Sequence, residues 1–299
     1  MRPRWKKVFA DLWANKTRSL VVILSISIGL FAIGMISTSY SWLRLAMFSG
    51  YAQVNPANII ILSKGFDQNF VDHLRNVKHI SQVEGVTDFT YRALTTNNTH
   101  IPIEIQAFQN FEDKKINQLH LREGRLPQNE REIALDFNKV KLASVGIGDS
   151  LTLLLPSGKE RQLVVTGIVQ DMTIGAGGLG GGFFIAPLQG YIISKTLPWL
   201  EQTDYYNKLL VTVTDGEDQP MMHAVVNAIE KEFKRNGLLA LNSTTLNSTA
   251  HPNGPYLDSM ISILVILGLL VVFLSGFIIT NMISALLNQQ IQQVGVLKT

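Results

Sequence analysis

The stretch that decides the fold is residues 20–43, LVVILSISIGLFAIGMISTSYSWL, which carries no Asp, Glu, Lys or Arg. A helix rising about 1.5 Å per residue needs about 20 residues to cross a bilayer core, so this segment is long enough to span one with some tilt. Tyr40 and Trp42 lie at its far end, where amphipathic rings favour the membrane interface. A second segment of the same kind opens near Met260 (MISILVILGLLVVFLSGFIITNMISALL), and no charge occurs from Ser259 to Leu297. Past Asn281 it turns polar, with Asn288, Gln289, Gln290, Gln292 and Gln293, which reads as a helix leaving the membrane as a stalk.

Between these segments the composition is that of an ordinary globular domain. The chain as a whole has 16% charged residues, against about 25% in a soluble protein, because the two apolar ends hold almost none. The net charge of +3 is equally uneven. Residues 1–19 hold six basic residues and Asp11, a balance of +5, whereas residues 44–257 carry −2. The basic character belongs to a short tail, so binding of nucleic acid by a basic folded face is excluded. By the positive-inside bias the same tail places the N-terminus in the cytoplasm and residues 44–257 outside. A cleaved signal peptide fits less well, since the apolar run exceeds the usual h-region of about 7–15 residues. There are no cysteines, which removes disulfides, thiolate metal sites and cysteine nucleophiles together.

Before the first span, Trp5, Val8, Phe9, Leu12 and Trp13 recur at helical spacing opposite Lys6, Lys7 and Asp11. Trp5, Phe9 and Trp13 are therefore expected to lie on the lipid bilayer surface as one face of an interfacial helix. Within the span, Ser25 and Gly29 form a small-xxx-small pair that permits close helix packing, here expected between two copies of the chain or with a homologous partner.

The middle segment mixes signals. Strands are expected at Ala57–Leu62, after Val83–Val86, at Ile101–Phe108 and at Leu209–Val213, and helices at Phe70–Val77 and Gln219–Asn236. Residues 151–169 read as a hairpin turning at Pro156-Ser157-Gly158-Lys159. The expected fold class is an α+β extracytoplasmic domain between two transmembrane α-helices. Gly175–Gly180 (GAGGLG) formally matches a dinucleotide-binding motif, but Gly181-Gly182-Phe183-Phe184-Ile185 follows instead of a helix start, so a loop is the better reading. His73 and His79, six apart, do not share a helix face, and no ligand spacing appears among the six histidines, so no metal is expected. Carboxylate pairs such as Glu130/Glu132 and Asp215/Glu217 read as solvated loop charges, and no catalytic constellation is visible.

Several short pieces now resemble one family when taken in order. They are Asn15-Lys16-Thr17-Arg18-Ser19 before the first span, Leu121-Arg122-Glu123-Gly124-Arg125-Leu126-Pro127, Glu132-Ile133-Ala134-Leu135, Val145-Gly146-Ile147-Gly148-Asp149-Ser150-Leu151, Val164–Val169, and Gln293-Val294-Gly295-Val296-Leu297-Lys298-Thr299. With the two spans, they resemble permease subunits of MacB/FtsX-type ABC transporters. The resemblance implies a MacB-like periplasmic core domain over residues 44–257, a first span at 20–43, a second at 258–287, and a cytoplasmic coupling segment from 288 to 299. It implies residence in the plasma (inner) membrane and a cytoplasmic ABC ATPase on another chain, which binds the ATP, so that this chain holds no cofactor and is not itself an enzyme. It further implies a second permease copy or homologue, a periplasmic adaptor, and a role in export or in extrusion of lipoprotein, peptide or drug. Gln293, Val294, Gly295, Val296, Leu297 and Lys298 would carry the ATPase contact. Two departures stand out. Gln293 replaces the usual glutamate, and the chain stops inside the motif at Thr299, as expected of a piece of a longer or split protein. The alternative is a two-span sensor or receptor with an extracytoplasmic ligand-binding domain.

Overall fold

The computed structural model describes residues 13, 16–95, 98–174, 187–216, 218–247, 251 and 253–296. It divides into one unit that holds most of two long helices, within residues 1–45 and 254–299, and a compact domain (residues 46–253).

The helical unit is built by the two apolar segments. Helix α1 spans Lys16–Gln53, so it continues ten residues beyond Leu43. The other long helix, here α5, spans Gly254–Val296. A Cβ on Gly29 would stand 3.7 Å from Ser275 Oγ and 3.8 Å from Val272, and one on Gly268 would stand 3.0 Å from Ile36. Nearer the domain, the Tyr40 hydroxyl lies 3.4 Å from Asp258 and accepts from Arg44 at 2.9 Å. Partner numbers fall along α5 as they rise along α1, so the two helices run antiparallel. Between their polar ends, much of the remaining described surface is apolar and open: Leu30, Phe31 and Phe273 are about two-thirds to three-quarters exposed. Leaving each such side chain in water costs about 1.5–3 kcal/mol, so the surface calls for a lipid solvent.

The domain is α+β. Its strands are β1 Ile59–Phe66, β2 Ile80–Leu94, β3 His100–Phe108, β4 His120–Gly124, β5 Glu132–Asp136, β6 Ser150–Leu154, β7 Glu160–Gln170, β8 Leu188–Ile193, β9 Tyr206–Val213 and β10 Ala240–Thr245. The helices among them are α2 Gln68–Leu74, α3 Val140–Ala143 and α4 Gln219–Arg235. The strand order is β10-β1-β9-β2-β3-β8-β5-β7-β4, and β6 pairs with both β2 and β7. That last pairing closes β2, β3, β8, β5, β7 and β6 into a ring. The ring exists because these strands alternate: Ile103, Ile105 and Ala107 point into its core with Leu151, Leu153 and Ile133, while Glu104 and Gln106 point out.

β2 is long enough to serve two structures. Its second half belongs to the ring, and its first half pairs with β9 in a sheet completed by β1 and β10. Helices α2 and α4 cover one face of that sheet. Asp67 caps α2 by accepting from the Phe70 N–H at 3.0 Å, and Asp218 caps α4 by accepting from Met221 N–H at 3.3 Å. On α4, Met222, Val225, Val226, Ile229 and Phe233 form one buried stripe at helical spacing. Phe233 meets Phe66 and Phe70 edge-on at centroid distances of 5.8 and 4.6 Å.

Candidate functional site

The root of the domain carries the least signal in its local sequence. The last turn of α1 enters it: Tyr51 and Val54 are fully buried. Gly50 makes room, since a Cβ there would come within 2.1 Å of the Met172 methyl group. The Tyr51 ring stands edge-on to His251, with centroids 4.8 Å apart. His251 Nδ1 accepts the Asn253 backbone N–H at 3.0 Å. In the neutral ring the proton therefore sits on Nε2, which donates to the Met172 carbonyl at 3.2 Å. Burial holds the His251 pKa below its ordinary value, which keeps this ring neutral near pH 7. Asn253 leads directly into the first residue of α5. One small cluster thus holds the end of α1, the turn after β7 and the residues that precede α5.

A buried polar row stands beside Met172. Asp171 accepts from the Thr173 N–H at 2.7 Å, the Thr173 hydroxyl at 2.6 Å and the Tyr191 hydroxyl at 2.9 Å. Its own N–H donates to Asp136 at 3.3 Å, and Asp136 also accepts from the Asn138 N–H at 2.9 Å. Burial pushes the Asp136 pKa up to about 6, and burial with the nearby Asp171 charge pushes the Tyr191 hydroxyl well above its usual value. The row continues along the same sheet face. Glu104 accepts from Gln189 at 2.9 Å, and Lys208 pairs with Asp88 at 2.7 Å. The Lys114 ammonium lies 4.0 Å from the Phe108 ring centroid with no hydrogen-bond acceptor among the described residues. Burial lowers its pKa to about 8, opposed by the Glu84 and Asp171 charges. Glu84 fixes the loop that carries Lys114, accepting the N–H groups of Lys115 and Ile116 at 2.6 and 3.0 Å.

This arrangement orders a face of the domain, and among the described residues no cluster could hold a metal ion. One expectation is corrected. Glu132 is not a solvated loop charge: it opens β5, pairs with Arg125 through both guanidinium nitrogens at 2.6 and 2.7 Å, and accepts from Gln128 and Asn129 backbone N–H groups. The Arg125 hydrogen bonds, aided by those donors, hold its carboxyl well below the usual range. His73 bonds Glu232 at 3.1 Å.

The residues singled out from the sequence are scattered among the elements. Gln293, Val294, Gly295 and Val296 lie in the last turns of α5, while Leu297 and Lys298 fall outside the described residues. Trp5, Phe9 and the Gly175–Gly182 segment also fall outside them. Trp13 is exposed, with the Lys16 ammonium 5.0 Å from its ring centroid. Ser25 is half-buried, and Gly29 is buried against α5 of its own chain. Tyr51, Met172 and His251 are more than 75 residues apart in sequence and match no motif, so only the fold brings them together.

Comparison with known proteins adds a family. Residues 19–229 match the model of the MacB-like periplasmic core domain. No curated protein matches the chain. Among solved structures, the extracellular domain of the noncanonic ABC-type transporter YknZ from Gram-positive bacteria is similar, with 14% identity, TM-score 0.41, and coverage of 64% of this chain and 100% of that one. The periplasmic region of MacB from Actinobacillus actinomycetemcomitans shows 14% identity and TM-score 0.40, covering 70% of this chain and 95% of that one. A domain of a putative permease from Porphyromonas gingivalis shows 12% identity and TM-score 0.39, covering 64% and 93%.

Proposed function

The chain belongs to the MacB-like periplasmic core domain family, the MacB/FtsX-type ABC transporter permeases, and from that membership we propose that it couples ATP hydrolysis on a separate cytoplasmic ATPase to movement of its extracytoplasmic domain. The observation that carries this reading is the root of the domain. α1 runs without a break from Lys16 to Gln53 and ends with Tyr51 in the domain core, and α5 begins three residues after His251. Displacement of either helix along its axis would thus be felt at the Tyr51–His251–Met172 cluster, which supports a mechanical role over one in which the spans are mere anchors.

In this proposal the chain resides in the inner membrane with its N-terminus in the cytoplasm, as the +5 tail favours. The segment Gln293–Lys298, at the far end of α5 and just past it, meets the ATPase. The neutral amide of Gln293 can hydrogen-bond there but cannot form a salt bridge. A second permease copy or homologue completes the membrane part, and a periplasmic adaptor and a lipoprotein, peptide or drug cargo lie on the outer side. ATP is bound by the partner, and the work of this chain is non-catalytic.

Purification of the full-length chain from its own membranes in mild detergent tests the proposal. An ATPase carrying a G-x-x-x-x-G-K-[ST] loop is expected in the complex, identified by mass spectrometry, and is expected to be lost on Val294→Asp. Recovery of the intact chain with no such ATPase would overturn the proposal.

A further inference from the structure

Trp199 lies in a short 3-10 turn, Pro198–Leu200, and packs against the ring core. Two guanidinium groups stand over its indole, with the Arg131 Cζ 3.8 Å and the Arg161 Cζ 4.3 Å from the ring centroid. Arg161 also donates through Nε to the Trp199 carbonyl at 3.1 Å. The indole N–H is buried and has no acceptor among the described residues.

The cluster is rich in donors and short of acceptors. Neither Arg131 nor Arg161 has an ion pair among the described residues. Glu201, the nearby acid, is spent on Lys159 at 2.8 Å. Stacking on an aromatic face uses the flat side of a guanidinium and leaves its N–H groups pointing outward in the plane. Among the described residues Arg131 therefore keeps all five donors, and Arg161 keeps those beyond Nε. The backbone is also strained at this place. Arg131 has φ of 65° and Glu201 has φ of 57°, a left-handed conformation that side chains with a Cβ resist. Backbone held in such a state is a pointer to function where the surroundings enforce it. Here the Arg131 carbonyl is held by the Val164 N–H at 2.8 Å.

Two guanidinium groups without an ion pair among the described residues, with a summed charge of +2, match a doubly charged oxyanion. A carboxylate would neutralise only one of them, whereas a phosphate monoester offers about two negative charges and three acceptor oxygens. We propose that Arg131 and Arg161, held over Trp199, form a binding site for a phosphate monoester. The oxyanion is either a free phosphate compound or the headgroup of a lipid such as phosphatidic acid.

Trp199 is its own reporter. The other tryptophans are Trp5, Trp13 and Trp42, so W5F/W13F/W42F leaves one indole. The full-length variant in phosphatidylcholine nanodiscs is titrated with glycerol 3-phosphate, and separately transferred to nanodiscs containing phosphatidic acid. A saturable change in Trp199 emission with the soluble monoester identifies a free ligand, and a change only with phosphatidic acid identifies the lipid; either supports the site. Arg131→Gly with Arg161→Gln is expected to weaken the response at least about tenfold, the effect of losing about 1.4 kcal/mol. Glycine at position 131 suits φ of 65°, so the substitution removes the guanidinium without threatening the fold. Arg235→Gln, at an arginine bound to Glu232 elsewhere, is expected to change nothing. Absence of a response to both phosphate sources, an equal response to acetate, or a response that survives Arg131→Gly with Arg161→Gln would overturn the proposal.

Discussion

Gly124 and Gly167 sit opposite each other where β4 meets β7. A Cβ on Gly167 would stand 2.3 Å from the Arg125 carbonyl oxygen, and one on Gly124 would stand 2.3 Å from the Thr166 carbonyl oxygen at a φ of +75°. Backbone cannot yield as a flexible side chain can, so Gly167→Ala and Gly124→Ala are each expected to cost at least about 2 kcal/mol, read as a lower unfolding temperature of the full-length chain in detergent. Glu132 and Asp136, at the two ends of β5, act oppositely with pH. The Glu132 carboxyl is held below its unfolded value of about 4.3, so its contribution is present above that pH and lost as pH falls further. The Asp136 pKa is raised to about 6 from an unfolded value of about 3.9, so the folded state holds the extra proton and stability falls as pH rises between the two. Asp136→Asn is expected to flatten the pH dependence between about 4 and 6, and Glu132→Gln to flatten it below about 4. Unchanged profiles in both variants would contradict these assignments. Gly124, Arg125, Glu132 and Gly167 were visible as short ordered pieces of sequence, but the reasons for them are contacts across strands, which no local reading contains.

Among the elements, those with a strong period were legible. The hairpin of β6 and β7 turns at Pro156–Lys159 as its residues predict, with Leu155 N–H bonded to the Lys159 carbonyl at 2.9 Å. α4 follows its apolar stripe, and α1 and α5 follow their uncharged runs. β8 was not legible. All six of its residues are buried, so it shows no alternation, and it pairs in parallel with β3, 85 residues earlier in the chain. β4 failed for the opposite reason, being exposed at every position. The Ser25/Gly29 pair pointed to helix packing, and the contact at Gly29 is with α5 of the same chain. An alanine methyl there would sit at ordinary contact distance. In a chain without native cysteines, Gly29→Cys with Val272→Cys is therefore expected to oxidise within one chain. Formation of covalent dimers alone, on a non-reducing gel, would contradict this packing.

At the level of the whole molecule, the order of parts was legible: an apolar span, an α+β domain and a second span. The closure of six strands into a ring, and the buried row from Asp136 through Tyr191 and Asp171 to the His251 cluster, depend on pairings between distant segments and were not. The family places a cytoplasmic ATPase beside the chain, and the central claim is that α5 carries its motion to the outer domain. A photoactivatable crosslinker placed at Gln293, in the chain as it stands in its native membrane, tests that claim most directly. The account predicts a covalent adduct with a cytoplasmic ATPase from position 293 and none from a crosslinker at Tyr256, near the other end of α5. No ATPase adduct from position 293, or an equal one from position 256, would contradict it.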